Sequence, residues 1–269
     1  MTVRASISRR TWAVLGVSVV AVAAMYAAIL AGGDAALYAS DIGETAIVWA
    51  AAAFTLSAAL SFSPGEELRR QWLLIGIGVV MYAMGDTVWA FIELVQKREV
   101  PYPGLADLFY VLQYVFFAVG VSRAALAFRG IFDVRKPAIY AGGIGAVLAG
   151  AQYVFVLHPI VVGESGIGEK ALNLFYPLGD VLLELVPALF ILFVVANLGR
   201  GSLGWPWRAV AVAMAVMAVT DTAFVWLQNQ DLYASGMVVD VGWALGNAAI
   251  AVGASLARDI AHPLRAGGA

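Results

Sequence analysis

Residues 71–95 read QWLLIGIGVVMYAMGDTVWAFIELV, and residues 206–228 read PWRAVAVAMAVMAVTDTAFVWLQ. Each is an apolar run long enough to cross a hydrocarbon core of about 30 Å, which takes about 20 helical residues. Each also buries an Asp-Thr pair late in the run, Asp86-Thr87 and Asp221-Thr222. Working outward, six further apolar stretches of similar length lie near 12–32, 41–63, 105–128, 137–158, 171–198 and 233–257. Apolar residues make up 62% of the 269 and charged residues 13%, where a soluble domain carries about a quarter charged. Alternating strands of about 10 residues, the mark of a membrane barrel, are absent. Only helices and closed barrels satisfy the backbone in lipid. The reading is an all-α polytopic membrane protein with about eight transmembrane helices in one membrane domain, 1–269.

The chain has no cysteine, which excludes disulfides, thiolate metal sites, iron–sulfur clusters and thiol catalysis. No Lys/Arg cluster forms a nucleic-acid surface. With the N-terminus inside, the cytoplasmic segments hold 13 basic residues (Arg4, Arg9, Arg10, Arg69, Arg70, Arg123, Arg129, Arg135, Lys136, Arg200, Arg208, Arg258 and Arg265). The opposite side holds 3, Lys97, Arg98 and Lys170. That bias predicts a multi-pass plasma-membrane protein with both termini cytoplasmic and a short tail over 258–269. The first segment also has the makings of a cleaved signal, with SRRTW at 8–12 like a twin-arginine motif. Its counterpart in the repeat described next argues for retention.

The stretch MGDTVWAF (84–91), an outer loop and LADLFYVLQYVFFAVG (105–120) match VTDTAFVW (219–226), an outer loop and VVDVGWALGNAAIAVG (238–253). Upstream, IGET (42–45) pairs with LGDV (178–181). Asp86 to Asp107 is 21 residues and Asp221 to Asp240 is 19; Glu44 to Asp86 is 42 and Asp180 to Asp221 is 41. Three acids kept in step predict two four-helix halves, 12–128 and 137–257. Four spans is an even number, so the halves insert in the same sense, as a parallel repeat.

Glu44, Asp86, Asp107, Asp180, Asp221 and Asp240 all fall in the outer half of the expected bilayer. Each would cost roughly 2.5–3.5 kcal/mol facing lipid at mid-membrane, so they are expected to face the bundle interior. With no Lys or Arg in the helical part of that half, three means of satisfaction remain: protonation, neutral hydrogen-bond donors, or a bound cation. Candidate donors are Tyr82, Tyr110, Tyr114, Tyr176, Gln113, Asn173, Gln228 and Asn247. Rings follow four of the acids by three residues, as Asp86/Trp89, Asp107/Tyr110, Asp221/Phe224 and Asp240/Trp243. On a helix these share a face, and carboxylate plus ring suits a cation or an amphipathic ligand. The candidate ligand or proton site is therefore the six acids with Trp89, Tyr110, Tyr176 and Trp243. The bland alternative is equally physical: acids near helix starts cap free N–H groups, and Trp and Tyr gather at membrane interfaces. Glu93 reads as interfacial, Glu184 as cavity-facing one turn after Asp180, and Pro187 as a kink.

The two histidines, His158 and His262, lie on opposite sides, which removes two-histidine haem ligation within the chain. No lysine is expected inside a helix, which removes a Schiff base. GGIGAVLAG at 142–150 is a small-residue packing face rather than a nucleotide loop. No catalytic motif appears, so the chain is not expected to be an enzyme. No cofactor is predicted, although a bound cation is compatible with the acids and the metal is left open.

YPGLADLFYVLQYVFFAVGV (102–121), FYPLGDVLLE (175–184) and DTAFVWLQNQDLYASGMVVDVGW (221–243) resemble a bacterial and archaeal membrane region. It is the eight-helix N-terminal sensor module that precedes PAS/histidine-kinase or diguanylate cyclase/phosphodiesterase domains. The resemblance covers about 40–257, with Asp107, Asp180, Asp221 and Asp240 at motif positions. It implies an input module, here without an output domain. The expectation is a stand-alone sensory or ligand-binding module in the lipid bilayer, acting through a cytoplasmic or membrane signalling partner. The alternatives are an ion- or proton-coupled carrier or channel, a membrane enzyme acting on lipid or isoprenoid, and a structural subunit.

Overall fold

Long apolar runs broken by Gly, Pro and charged turns dictate helices. The fold is given by a computed structural model, which describes residues 6–127, 133–196 and 202–266, with side chains as far as residue 261. Arg4, Arg129 and Arg200, residue 128 at the close of the first expected half, and residues 267–269 of the tail lie outside the described residues. The elements are α1 (Arg9–Ala31), α2 (Gly33–Tyr38), α3 (Glu44–Leu60), α4 (Glu67–Ala90), α5 (Leu105–Ala127), α6 (Arg135–Gln152), α7 (His158–Val162), α8 (Ile167–Gly179), α9 (Val186–Ala196), α10 (Trp205–Gln228) and α11 (Asp240–Ala266). Wide π-type turns join α2 to α3, α6 to α7 and α8 to α9, and extend α4 to Val95. No strand occurs among the described residues.

Seven of the resulting continuous helices are long and apolar enough to cross a membrane: Arg9–Ala31, Gly33–Leu60, Glu67–Val95, Leu105–Ala127, Arg135–Val162, Ile167–Ala196 and Ser202–Gln228. α11 adds 27 residues. Their outer faces carry Val17, Val20, Leu30, Val147, Phe155 and Val219, each more than 60% exposed. A water-soluble protein does not sustain such a surface, and the fold is that of a multi-pass helical membrane protein.

Several boundaries move. The second span begins at Gly33, not 41, because Gly32 and Gly33 take positive φ (75° and 59°) and reverse the chain within two residues. The last helix begins at Asp240, not 233, and continues to Ala266 through what was expected to be a free tail. Arg258 in that extension donates to Ser57 Oγ at 2.6 Å. Asp259 accepts from Ser8 N at 2.9 Å and Thr11 Oγ1 at 2.8 Å, fixing the start of α1 to α11. Pro187 stands two residues after the wide turn Asp180–Leu185. Its missing N–H and its ring cannot fit a regular α turn there. Lys170, expected outside any helix, lies in the first turn of α8, where its Nζ donates to Gly163 O at 2.6 Å.

Glycine sets the closest helix crossings. A Cβ on Gly78 would stand 3.0 Å from Phe117 N, and one on Gly120 3.0 Å from Gln71 O, so α4 and α5 touch backbone to backbone. A Cβ on Gly253 would stand 3.2 Å from Pro206 O, where α11 crosses α10. Between these two pairs the indoles of Trp72 and Trp207 stack, with centroids 5.6 Å apart. The main core fills this middle with Ile75, Val79, Phe117, Val210, Met214, Ile250 and their neighbours. The loops 96–104, 163–166 and 229–239 gather at one end of the bundle, above that core.

Candidate functional site

At the end bearing loops 96–104 and 229–239 lies a cavity of about 90 Å³. Its acids are Asp41, Glu44, Asp86, Asp107 and Asp221, and Lys, Arg and His are absent from its described wall. Nine rings complete most of that wall: Tyr82, Trp89, Tyr102, Tyr110, Tyr114, Tyr176, Phe224, Tyr233 and Trp243. Eight of the ten residues singled out from sequence line it. The other two, Asp180 and Asp240, do not.

Asp107 and Asp240 do the work of caps. Asp107 stands three residues after Gly104 and reaches back to its N–H at 2.6 Å. Asp240 reaches back to Gly236 N at 2.7 Å and Met237 N at 3.2 Å. Asp107, the third residue of α5, thereby satisfies a backbone donor that the helix start leaves free, whereas Asp240, the first residue of α11, ties down the turn before its helix. Each also takes a hydroxyl from a distant helix: Tyr176 to Asp107 at 2.6 Å, and Ser40 to Asp240 at 2.7 Å. The bland alternative accounts for Asp240 Oδ2, while Oδ1 of this fully buried residue has no partner among the described residues. It holds in part for Asp107, which also faces the cavity.

Asp86 and Asp221 belong to no helix start. Asp86 Oδ1 accepts from Tyr110 OH at 2.9 Å, while its Oδ2 has no partner among the described residues. Asp221 accepts from Trp243 Nε1 on one oxygen and from Tyr114 OH at 3.3 Å on the other. Each ring thus bonds the acid of the preceding long helix, not the acid three residues before it. Trp89 does not bond Asp86 either, but its partner is on its own helix: it donates to Glu93 Oε2 at 2.9 Å, which also accepts from Ser235 Oγ at 2.7 Å.

Asp180 lies deeper. It lines a second cavity of about 20 Å³, with Glu184, Asn247 and five apolar residues. Tyr82, Gln113, Tyr114 and Asp221 are common to both cavities. Tyr114 OH donates to Asp180 Oδ1, and Gln113 Nε2 to Glu184 Oε1. The tyrosine hydroxyl thus stands between Asp180 and Asp221. A volume of about 20 Å³ exceeds the roughly 10–15 Å³ one water needs.

Among the expected donors, Tyr110, Tyr114, Tyr176 and Gln113 serve carboxylates. Tyr82 packs tilted against Tyr110 with centroids 5.3 Å apart. Asn173 accepts from Tyr102 at 2.7 Å, and Asn247 bonds Trp243 O at 3.1 Å. Gln228 makes no side-chain hydrogen bond to the described residues.

Sequence reading missed Asp41, Tyr102 and Tyr233. Asp41 is the first residue of the expected helix, but that span begins eight residues earlier, so it lies about two turns inside the span and lines the cavity. Tyr102 sits in a loop, and Tyr233 sits in another because the helix expected from 233 begins at Asp240. Burial, with Asp107 nearby, pushes the Tyr102 phenol well above the ordinary tyrosine range, and burial, with Asp240 and Glu44, does the same to Tyr233. Both remain protonated donors at neutral pH.

No group of three His, Asp or Glu side chains converges on a point where a metal ion would sit, among the described residues. The carboxylates ring the cavity with aromatic faces between them. A comparison of the chain with known protein families, with curated proteins and with solved structures finds no match to any.

Proposed function

We propose that the chain is a membrane sensory or ligand-binding module built of two parallel four-helix halves, with eight spans. Both termini face the cytoplasm of a cell membrane, and the acid-aromatic cavity opens outward. The likeness of 102–121, 175–184 and 221–243 to sensor regions supports the assignment, and basic residues at the opposite end support the orientation.

The pairing of contacts supports the two halves. Aligning Asp86 with Asp221 places Trp72 on Trp207, and those two residues stack on each other. Aligning Asp107 with Asp240 places Tyr110 on Trp243 and Gly120 on Gly253. Tyr110 and Trp243 make the same bond, each to the acid of the preceding long helix. Gly120 and Gly253 meet carbonyls 15 residues before those acids, Gln71 O and Pro206 O. Aligning Glu44 with Asp180 places Ser40 on Tyr176, and each donates to the cap acid of the other half. This exchange suits a two-fold axis along the bundle.

The observation that carries the reading is the cavity itself, walled by acids from both halves and bordered by the bonds that tie them together. A ligand that prefers one setting of the halves over another shifts their equilibrium, and a cytoplasmic partner reads the shift. Asp86→Asn, alone and with Asp221→Asn, tests it by thermal shift of the purified protein against cations and pH. The wild type is expected to respond and the double variant to lose the response. An unchanged response removes the site.

One observation favours ion- or proton-coupled transport. The second cavity continues the first inward past Tyr114, to Asp180 and Glu184. It closes on Val79, Phe117, Met214, Met217 and Ile250, and that plug has no ionisable group. Flux into proteoliposomes, present or absent, separates a carrier from a sensor.

A further inference from the structure

We propose that the cavity takes a small alkylammonium ion. Its N–H groups are donated to the free carboxylate oxygens of Asp86 and Asp41, and its carbons lie against the rings of Phe224, Tyr233 and Trp243. This rests on the ligand-binding reading above and names the chemical class of the ligand.

Charge fixes the sign. Five carboxyl groups and no basic side chain stand on the described wall, so the occupant is a cation. Hydrogen bonding fixes the kind of head group. Asp86 and Asp41, 8% and 6% exposed, both line the cavity, and each keeps an Oδ2 that no donor among the described residues meets; both oxygens are closed off in this structure, so the carboxyl groups turn to receive an N–H. Buried carboxylate oxygens are normally met by two or more donors. An ammonium N–H supplies a charge-assisted one, and a quaternary ammonium supplies none.

Geometry argues against a metal ion. Calcium draws six to eight oxygens to about 2.3–2.6 Å, and no three acids here converge on a common point. Rings separate the acids instead. Phe224, Tyr233 and Trp243 pack edge to face, with centroids 4.7 Å, 5.4 Å and 6.3 Å apart. Such a wall attracts a diffuse cation and accepts its methyl or methylene groups, which a bare potassium ion does not offer. Size fixes the rest. The cavity is about 90 Å³, and about 150 Å³ is what holds a benzene, so the ion carries only a few carbons.

The test titrates ethylammonium, methylammonium, tetramethylammonium, potassium and calcium chlorides into the purified full chain in lipid nanodiscs, with binding read by calorimetry. Ethylammonium and methylammonium are expected to saturate, and potassium, calcium and tetramethylammonium to bind at least about tenfold more weakly. Asp86→Asn is expected to weaken ethylammonium about tenfold or more, while Glu67→Gln, at the far end of α4, leaves it unchanged. Calcium or potassium binding as tightly as ethylammonium overturns the alkylammonium assignment and leaves the cation-binding cavity standing. Equal binding of tetramethylammonium overturns the role given to the N–H groups. Saturation by none of the ions overturns both this inference and the binding reading. The wild-type series decides these points even where the variant fails to fold.

Discussion

Asp86 and Asp221 stand in matching surroundings, each bonded by a ring on the following long helix, yet they differ in what is left over. Asp221 has one oxygen on Trp243, and its other oxygen shares the single Tyr114 hydroxyl proton with Asp180. Asp86 has one oxygen on Tyr110 and one free. The source of the difference lies in the neighbouring spans. In the first half the extra acid is Asp41, three residues before Glu44, on the loop side. In the second it is Glu184, four residues after Asp180, toward the core. One half thus faces acids into the larger cavity, and the other sends them down into the smaller. Matching scaffolds thus hold their acids at two depths, and in the deeper group Asp180 also keeps one oxygen, Oδ2, without a donor among the described residues.

The largest expected effect breaks the helix crossings on which the comparison stands. Gly120→Val places methyl groups against Gln71 O and Ile75, and should cost about 2–3 kcal/mol of stability. Gly253→Val has slightly more room and should cost less. Reversible unfolding in detergent measures both, and an equal or reversed order would undo the claim that α4 and α5 are the tighter pair. Next comes Tyr114→Phe, which strips one hydroxyl from two buried carboxyls and should cost about 1–3 kcal/mol.

Tyr110→Phe sharpens the contrast between the halves. It leaves Asp86 with no donor among the described residues, so cation binding should tighten or hold while the empty protein loses about 1 kcal/mol. A matching gain on replacing Tyr114 would erase the distinction between the two acids. Asp107→Ala and Asp240→Ala each remove a reach-back cap and should cost about 1 kcal/mol. Asp107→Ala should weaken cation binding as well, and Asp240→Ala should not, which calorimetry separates. The smallest effect is expected at Glu67–Arg123, a two-bond pair at 2.8 and 2.9 Å but 40% exposed on both sides. Arg123→Gln should shift the unfolding midpoint least of all these variants, and high salt should remove even that shift.

Much of the site was legible because acids in apolar helices are expensive and must turn inward. Glu44, Asp86, Asp107 and Asp221 follow from that alone. The ring three residues after each acid was read as its partner because the two share a helix face. In fact Tyr110 and Trp243 reach across to the preceding long helix, while Trp89 bonds Glu93 on its own, a choice that helix spacing makes and periodicity does not. Asp41 was lost to a misplaced helix start, since two glycines turned the chain earlier than apolar content suggested. Asp240 looked like a site residue because spacing records where an acid recurs and not whether backbone N–H groups have already claimed it.

What the sequence determined by itself is the helical, membrane-spanning character. Hydrocarbon tolerates no unpaired backbone, and uninterrupted apolar runs of this length have one way to meet that demand. It also held the recurring acids and their depth. Tertiary structure alone decided which carboxyl oxygens are bonded and which are free. That outcome depends on distances of a few tenths of an ångström between side chains from helices far apart in the chain, such as Ser40 with Asp240 and Tyr176 with Asp107. No local pattern encodes such distances.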